Sequence, residues 1–112
     1  MSRIVRFHRI GSPDVLQIDT VDVPAPGPGE VQLLVKAIGI NRAEVMYRSG
    51  EYTIQSRFPA SLGYEASSVV ASVGPDVTAF AAGDAVSVVP AFSFADYGMY
   101  GDVVNVPAHA LV

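Results

Sequence analysis

The sequence predicts a mainly β domain, a barrel or sandwich with one short helix, and three observations carry that prediction. Short apolar runs recur along the chain with turn dipeptides between them, which is the pattern of an all-β architecture. Only one segment carries both helix-start and helix-stop signals. At 112 residues, half of them apolar and 16% charged, the chain is one domain able to bury a modest core.

From the start, Ile4 to Phe7 alternates apolar and basic residues and predicts a first strand, which Gly11-Ser12-Pro13 then turns. Leu16 to Val23 resumes the alternation, with Leu16 and Ile18 on one face and Gln17 and Asp19 on the other, so the two runs pair as a hairpin. Pro24 to Glu30, PAPGPGE, is too rich in Pro and Gly for a regular element. Its GPGE lacks the third glycine of a phosphate loop and leads into a strand-like run, so it reads as a connector. Val31 to Ile40 is apolar on both faces except for Gln32 and Lys36, the mark of a central strand.

The single helix follows, over about Arg42 to Ser49. Asn41 can cap it, Glu44 can reach back in a capping box, and Gly50 supplies the stop. Gly50 to Leu62 reads as loop. Two more strands are predicted at about Gly63 to Val73 and Ala85 to Val89, bounded by Gly74-Pro75 and Gly83-Asp84, with Val77 and Phe80 anchoring the loop between them. Ala91 to Tyr100, AFSFADYGMY, is aromatic-rich and irregular, which suits a packed or ligand-lining loop. Gly101 to Val106 is the last strand, and Pro107 opens a final apolar segment.

Composition excludes several function classes. A net charge of −4 without any basic run argues against a nucleic-acid partner. The absence of cysteine removes disulfides and thiolate metal sites. No apolar run reaches the length of a membrane span or of a signal-peptide core, so the cytoplasm is the expected location and no membrane partner is expected. Ser67-Ser68 lie in a strand-like run with no G-x-S-x-G, which disfavours nucleophilic hydrolysis. His8 and His109 sit at opposite ends of the chain and read as ordinary surface residues.

One residue breaks the pattern of the longest apolar stretch. Glu65 stands among Leu62, Tyr64, Ala66, Val69 and Val70, where a carboxylate must be hydrogen-bonded, paired or turned to water. That makes it a candidate for chemistry. The stretch around it, LGYEASSVVASVGPDVTAFAAGDAVSVVP, together with AIGINRAEVMYRSGEY upstream and YGMYGDVVNVPAHALV downstream, resembles the catalytic domain of medium-chain dehydrogenases/reductases. Within that superfamily it is most similar to the zinc-independent quinone oxidoreductase and alkenal/enoyl reductase branch.

The resemblance implies a GroES-like, partly open β-barrel spanning residues 1–112. It also implies that a Rossmann domain and a returning segment of the catalytic domain lie outside this sequence, so the chain is expected to be a fragment, inactive by itself. Zinc-dependent relatives place a Cys where Asn41 stands and a His where Tyr64 stands, so no metal ligand set is expected. The implied chemistry is reduction of a quinone or an enone by hydride from NADPH, with hydrogen-bond donors in place of a metal. The donors at matching positions are Asn41 and Tyr64, with Tyr47 on the short helix and Tyr52 on the loop after it as further candidates, and Glu65 as a carboxylate holding a basic side chain or backbone amides. Arg42, Arg48 and Arg57 are its candidate partners. Asn41 and Tyr47 are the candidates for cofactor contact, although a helix cap alone also explains Asn41.

Two other readings stand beside this one. A stand-alone binding or assembly module is compatible with the fold, and the exposed edge of an incomplete barrel invites a homodimer through strand addition. A relative of zinc alcohol dehydrogenase that has lost its metal would differ in substrate but not in hydride chemistry.

Overall fold

The computed structural model describes residues 2–112. Seven strands and one α-helix run in the order β1 (Ser2–Phe7), β2 (Leu16–Val21), β3 (Glu30–Ile38), α1 (Arg42–Ser49), β4 (Ala60–Ser61), β5 (Ala66–Val73), β6 (Ala85–Val88) and β7 (Val103–Pro107). They build two antiparallel sheets in place of a closed barrel, ordered β2-β1-β4 and β6-β5-β3-β7. The first hairpin pairs in the predicted way, Ser2 opposite Val21 through Phe7 opposite Leu16. A turn that ends in a short 3-10 helix at Pro13–Val15 holds that register.

β3 lies between β5 and β7, as its two-sided apolar pattern predicts. Val31 and Leu33 are fully buried there, and with Val70, Val86, Val88, Val104 and Val106 they form an aliphatic core under the larger sheet. Each such side chain contributes about 1.5–3 kcal/mol by leaving water. The pattern misleads over the second half of the strand. β7 pairs only with Glu30 to Leu34; Leu34 at the end of that pairing and Ile38 beyond it are exposed, as is Ile40 after the strand ends. Irregularities at Gln32/Leu33 and Val35/Ala37 in the pairing with β5 turn this end of the strand toward the helix.

The helix has the predicted bounds, and Gly50 ends it at φ 83°, a left-handed conformation that a side chain would strain. The Gly50 N–H donates to the carbonyls of Met46 and Tyr47. Arg48 fastens the helix to the first turn: its guanidinium donates to the Gly11 carbonyl at 2.6 Å, and the Gly11 N–H donates to the Arg48 carbonyl at 3.0 Å. A second, aromatic core sits here, made of Phe7, Val15, Tyr47, Ala60, Leu62 and Phe94.

Two predicted elements need correction. The run from Gly63 does not begin a strand: Gly63 takes φ 105°, Tyr64 and Glu65 follow in an irregular bend, and β5 starts only at Ala66. The Gly50 to Leu62 loop contains a short strand, β4, which pairs with β1 through Arg6–Ser61 and Phe7–Ala60. Tertiary pairing decides a two-residue strand, and no local pattern announces it.

Candidate functional site

The end of β3, the start of α1 and the bend before β5 meet at one place. There the side-chain amide of Asn41 donates to Glu65 Oε2 at 3.1 Å, and the Gly39 N–H donates to the Glu65 carbonyl at 3.2 Å. The Glu65 side chain lies back over Gly39 so closely that a Cβ on Gly39 would fall 2.1 Å from Glu65 Oε1. A glycine is therefore required at residue 39 for the carboxylate to rest where it does.

Behind this surface pair lies a buried carboxylate. Glu44, only 3% exposed, accepts the Asn41 backbone N–H at 3.0 Å and the Tyr100 hydroxyl at 2.8 Å, both on Oε1. Its Oε2 is buried without a hydrogen-bond partner. The capping box is thus closed from the Glu44 side. The Asn41 side-chain nitrogen, which a cap does not use, is free to donate to Glu65. Burial, and then the Glu44 carboxylate, push the Tyr100 phenol well above its ordinary value, so it stays protonated as a donor.

Tyr64 and Tyr52 complete the arrangement, their hydroxyls 3.3 Å apart. Tyr64 stacks on Phe94 with ring centroids 3.7 Å apart and planes at 17°. Burial pushes the Tyr64 phenol up, and the neighbouring Tyr52 and the Glu44 charge add to the shift. Phe94 in turn packs on Tyr47 and Tyr52, so one buried ring from the irregular loop supports the row of phenols.

The structure thus brings together four of the five predicted site residues, Asn41, Tyr52, Tyr64 and Glu65, in two hydrogen-bonded pairs that adjoin at Tyr64-Glu65. Tyr47 is corrected. It is 1% exposed, enclosed by Phe7, Tyr52 and Phe94, and offers no surface to a cofactor. The expected basic partner of Glu65 is corrected too: Glu65 is exposed, it accepts from an amide, and among the described residues no ion pair joins it to Arg42, Arg48 or Arg57. Arg48 is engaged with Gly11, and Arg57 lies 3.7 Å from Asp96.

Tyr100 and Phe94 are members that sequence reasoning missed, and the aromatic density of AFSFADYGMY was the signal for them. Glu44 was read only as a cap. Two open clefts flank the site. One, of about 300 Å³, has Glu65 in its wall beside Gly39, Ala66, Ser67 and Ser87. The other, of about 310 Å³, lies beyond Tyr100 between Ile4, Ile18, Val35 and Ile38. Neither contains Asn41, Tyr52 or Tyr64, which stand on a half-exposed shelf. Among the described residues no three His, Cys, Asp or Glu side chains converge as a metal-binding group.

Comparison with known proteins identifies the family. Residues 27–112 match the family described as the alcohol dehydrogenase GroES-like domain. A quinone oxidoreductase of Salmonella typhimurium is 39% identical over 108 residues, covering 96% of this chain and 32% of that protein. The crystal structure of a quinone oxidoreductase of Pseudomonas syringae superposes with a TM-score of 0.90 at 37% identity, over 100% of this chain and 33% of that one. That of Escherichia coli quinone oxidoreductase complexed with NADPH gives 0.85 at 34% identity, over 100% of this chain and 32% of that one. The chain spans about a third of the length of these relatives. It belongs to the alcohol dehydrogenase GroES-like domain family.

Proposed function

We propose that this chain is the substrate-side domain of a cytoplasmic, NADPH-dependent oxidoreductase that reduces a quinone or an α,β-unsaturated carbonyl without zinc, working beside a dinucleotide-binding domain. The observation that carries this reading is the shelf itself. An amide and a carboxylate pair at Asn41 and Glu65, and two phenols pair at Tyr64 and Tyr52; by the resemblance, Asn41 and Tyr64 stand where zinc-dependent relatives place a Cys and a His.

The donor set fits the ring end of a nicotinamide cofactor and a carbonyl substrate, since amide and phenol groups match a carboxamide and a carbonyl oxygen. It does not fit the diphosphate, for which the PAPGPGE connector supplies no phosphate loop. When bound, NADPH supplies a hydride, two electrons and one proton, to the quinone or to the β-carbon of the enone, and a solvent proton completes the product. The residues of this chain orient the acceptor and stabilise the charge that gathers on its oxygen. Tyr64 suits that task because a phenol is a neutral hydrogen-bond donor at pH 7, and burial with its neighbours pushes its pKa further up and away from ionisation. The stacked Phe94 fixes the ring plane of Tyr64, so the hydroxyl is aimed without a loss of freedom on binding. Asn41 is held from two sides, by Glu44 at its backbone and by Glu65 at its side chain.

A chimera tests this reading. Residues 1–112 replace the matching segment of Escherichia coli quinone oxidoreductase 1, to which the chain is 37% identical over 108 residues. The folded chimera is expected to oxidise NADPH only when a quinone is present. A folded chimera that binds NADPH and shows no quinone-dependent oxidation would overturn the proposal.

A further inference from the structure

The charge balance of the shelf is one-sided. Two carboxylates, Glu65 on its surface and Glu44 beneath it, are joined through the two nitrogens of Asn41. Among the described residues neither forms an ion pair with a Lys, Arg or His. Glu44 accepts two neutral donors on Oε1, while its Oε2 is buried and unpartnered, so no cation neutralises it locally. The exposed Glu65 carboxylate nevertheless has a defined seat: it accepts from the Asn41 amide, and the missing side chain at Gly39 leaves it the room to lie there. An exposed glutamate without a task would be free to swing into water, whereas this one is docked.

A fixed, uncompensated negative charge favours a cation over a neutral molecule of the same shape. On the reading above, the molecule beside the shelf has those two forms: the nicotinamide ring is neutral before it gives up hydride and cationic afterwards. We propose that Glu65, docked by Asn41 and Gly39 and backed by Glu44, makes this shelf prefer the oxidised, cationic nicotinamide ring to the reduced, neutral one. Its role is electrostatic: it touches Asn41, and it lowers the free energy of the charge that hydride donation creates. This preference rests on the proposed function but is a separate property, because orientation by the amide and phenols does not require it.

The test uses the 112-residue chain and two ring probes of the same shape, 1-methylnicotinamide, a cation, and 1-methyl-1,4-dihydronicotinamide, which is neutral. Dissociation constants are read from NMR chemical shifts of the Asn41 side-chain amide and of the Tyr64 and Glu65 backbone amides. The cation is expected to bind roughly tenfold more tightly, the effect of one unit charge acting across a partly solvated contact. Glu65→Gln should bring the ratio to about one. Gly39→Ala keeps the charge but displaces the carboxylate, and it should lower the ratio part of the way. Asp14→Asn, a change at an exposed carboxylate in the turn between β1 and β2, should leave the ratio as it was. Equal binding of the two rings, an undiminished ratio in Glu65→Gln, or no shift at these three residues would each overturn the inference. An active chimera combined with a ratio of one would sink the charge preference alone, whereas an inactive chimera sinks the proposed function.

Discussion

The two cores of this domain are built from different chemistry. Under the larger sheet the buried residues are Val31, Leu33, Val70, Val86, Val88, Val104 and Val106 with their aliphatic neighbours, and no charged side chain is buried among them. Around the helix the buried set is aromatic, and Glu44 and Arg48 are buried beside Tyr47 and Phe94. The aliphatic core holds strands in register, and the polar groups buried along its strands, such as Ser68, are uncharged. The aromatic core does the reverse: its rings present hydroxyls and enclose a carboxylate, so packing and chemistry are carried by the same residues. Scaffold and site are therefore separable by mutation, and four predictions sharpen or break that separation.

The largest effect is expected in the aliphatic core. Leu33→Ala should cost about 3 kcal/mol in urea unfolding through lost burial and a residual cavity, with the Tyr64 and Glu65 amide resonances unmoved. If those resonances shift as much as the strand's own, the two regions are not independent. Glu44→Ala comes next, at about 2 kcal/mol, because it strands the Asn41 N–H and the Tyr100 hydroxyl. Glu44→Gln, which keeps an acceptor, should recover most of the loss. Equal losses in the two variants would mean that the charge, and not the hydrogen bonds, holds the cluster.

A third prediction concerns Tyr97, which ties the irregular loop to the strand scaffold. Its hydroxyl donates to Glu30 Oε2 at 2.8 Å, and that hydrogen bond, with burial, pushes its pKa up to about 12. The native phenol keeps its proton where the unfolded one, with a value of 10.0, has lost it. Its contribution to stability is therefore complete below pH 10 and declines as pH rises toward 12. Glu30→Gln should lower that native pKa, as read from phenolate absorbance against a Tyr97→Phe control; an unchanged titration would refute the assigned cause. The smallest effect is expected for Tyr52→Phe, under about 1 kcal/mol, since it removes one long, half-buried hydroxyl contact.

The legibility of the sequence divides along the same line. Strands β1, β2, β3, β5, β6 and β7 and the helix could be read because period-two alternation, Gly50 and the Asn41/Glu44 pair are local signals. Tyr47 shows where local reading ends. A tyrosine on a short helix reads equally as a ligand contact or as core, and only the long-range packing of Phe7 and Phe94 makes it core. Glu65 was conspicuous as a carboxylate in an apolar run, but its partner was not. An amide 24 residues earlier in the chain wins over three arginines because the bend before β5 faces the helix start. Tyr100, 56 residues from the carboxylate that it meets, carried no local signal beyond its aromatic neighbours.

The central claim is that Asn41 works on the substrate side of the shelf and does more than begin a helix. Its most direct test is Asn41→Ala in the chimera, with quinone-dependent turnover and urea stability measured on the same preparation. The account predicts that turnover falls at least tenfold while stability changes by about 1 kcal/mol or less. Turnover that falls only in proportion to the folded fraction would contradict it and leave Asn41 as a structural residue.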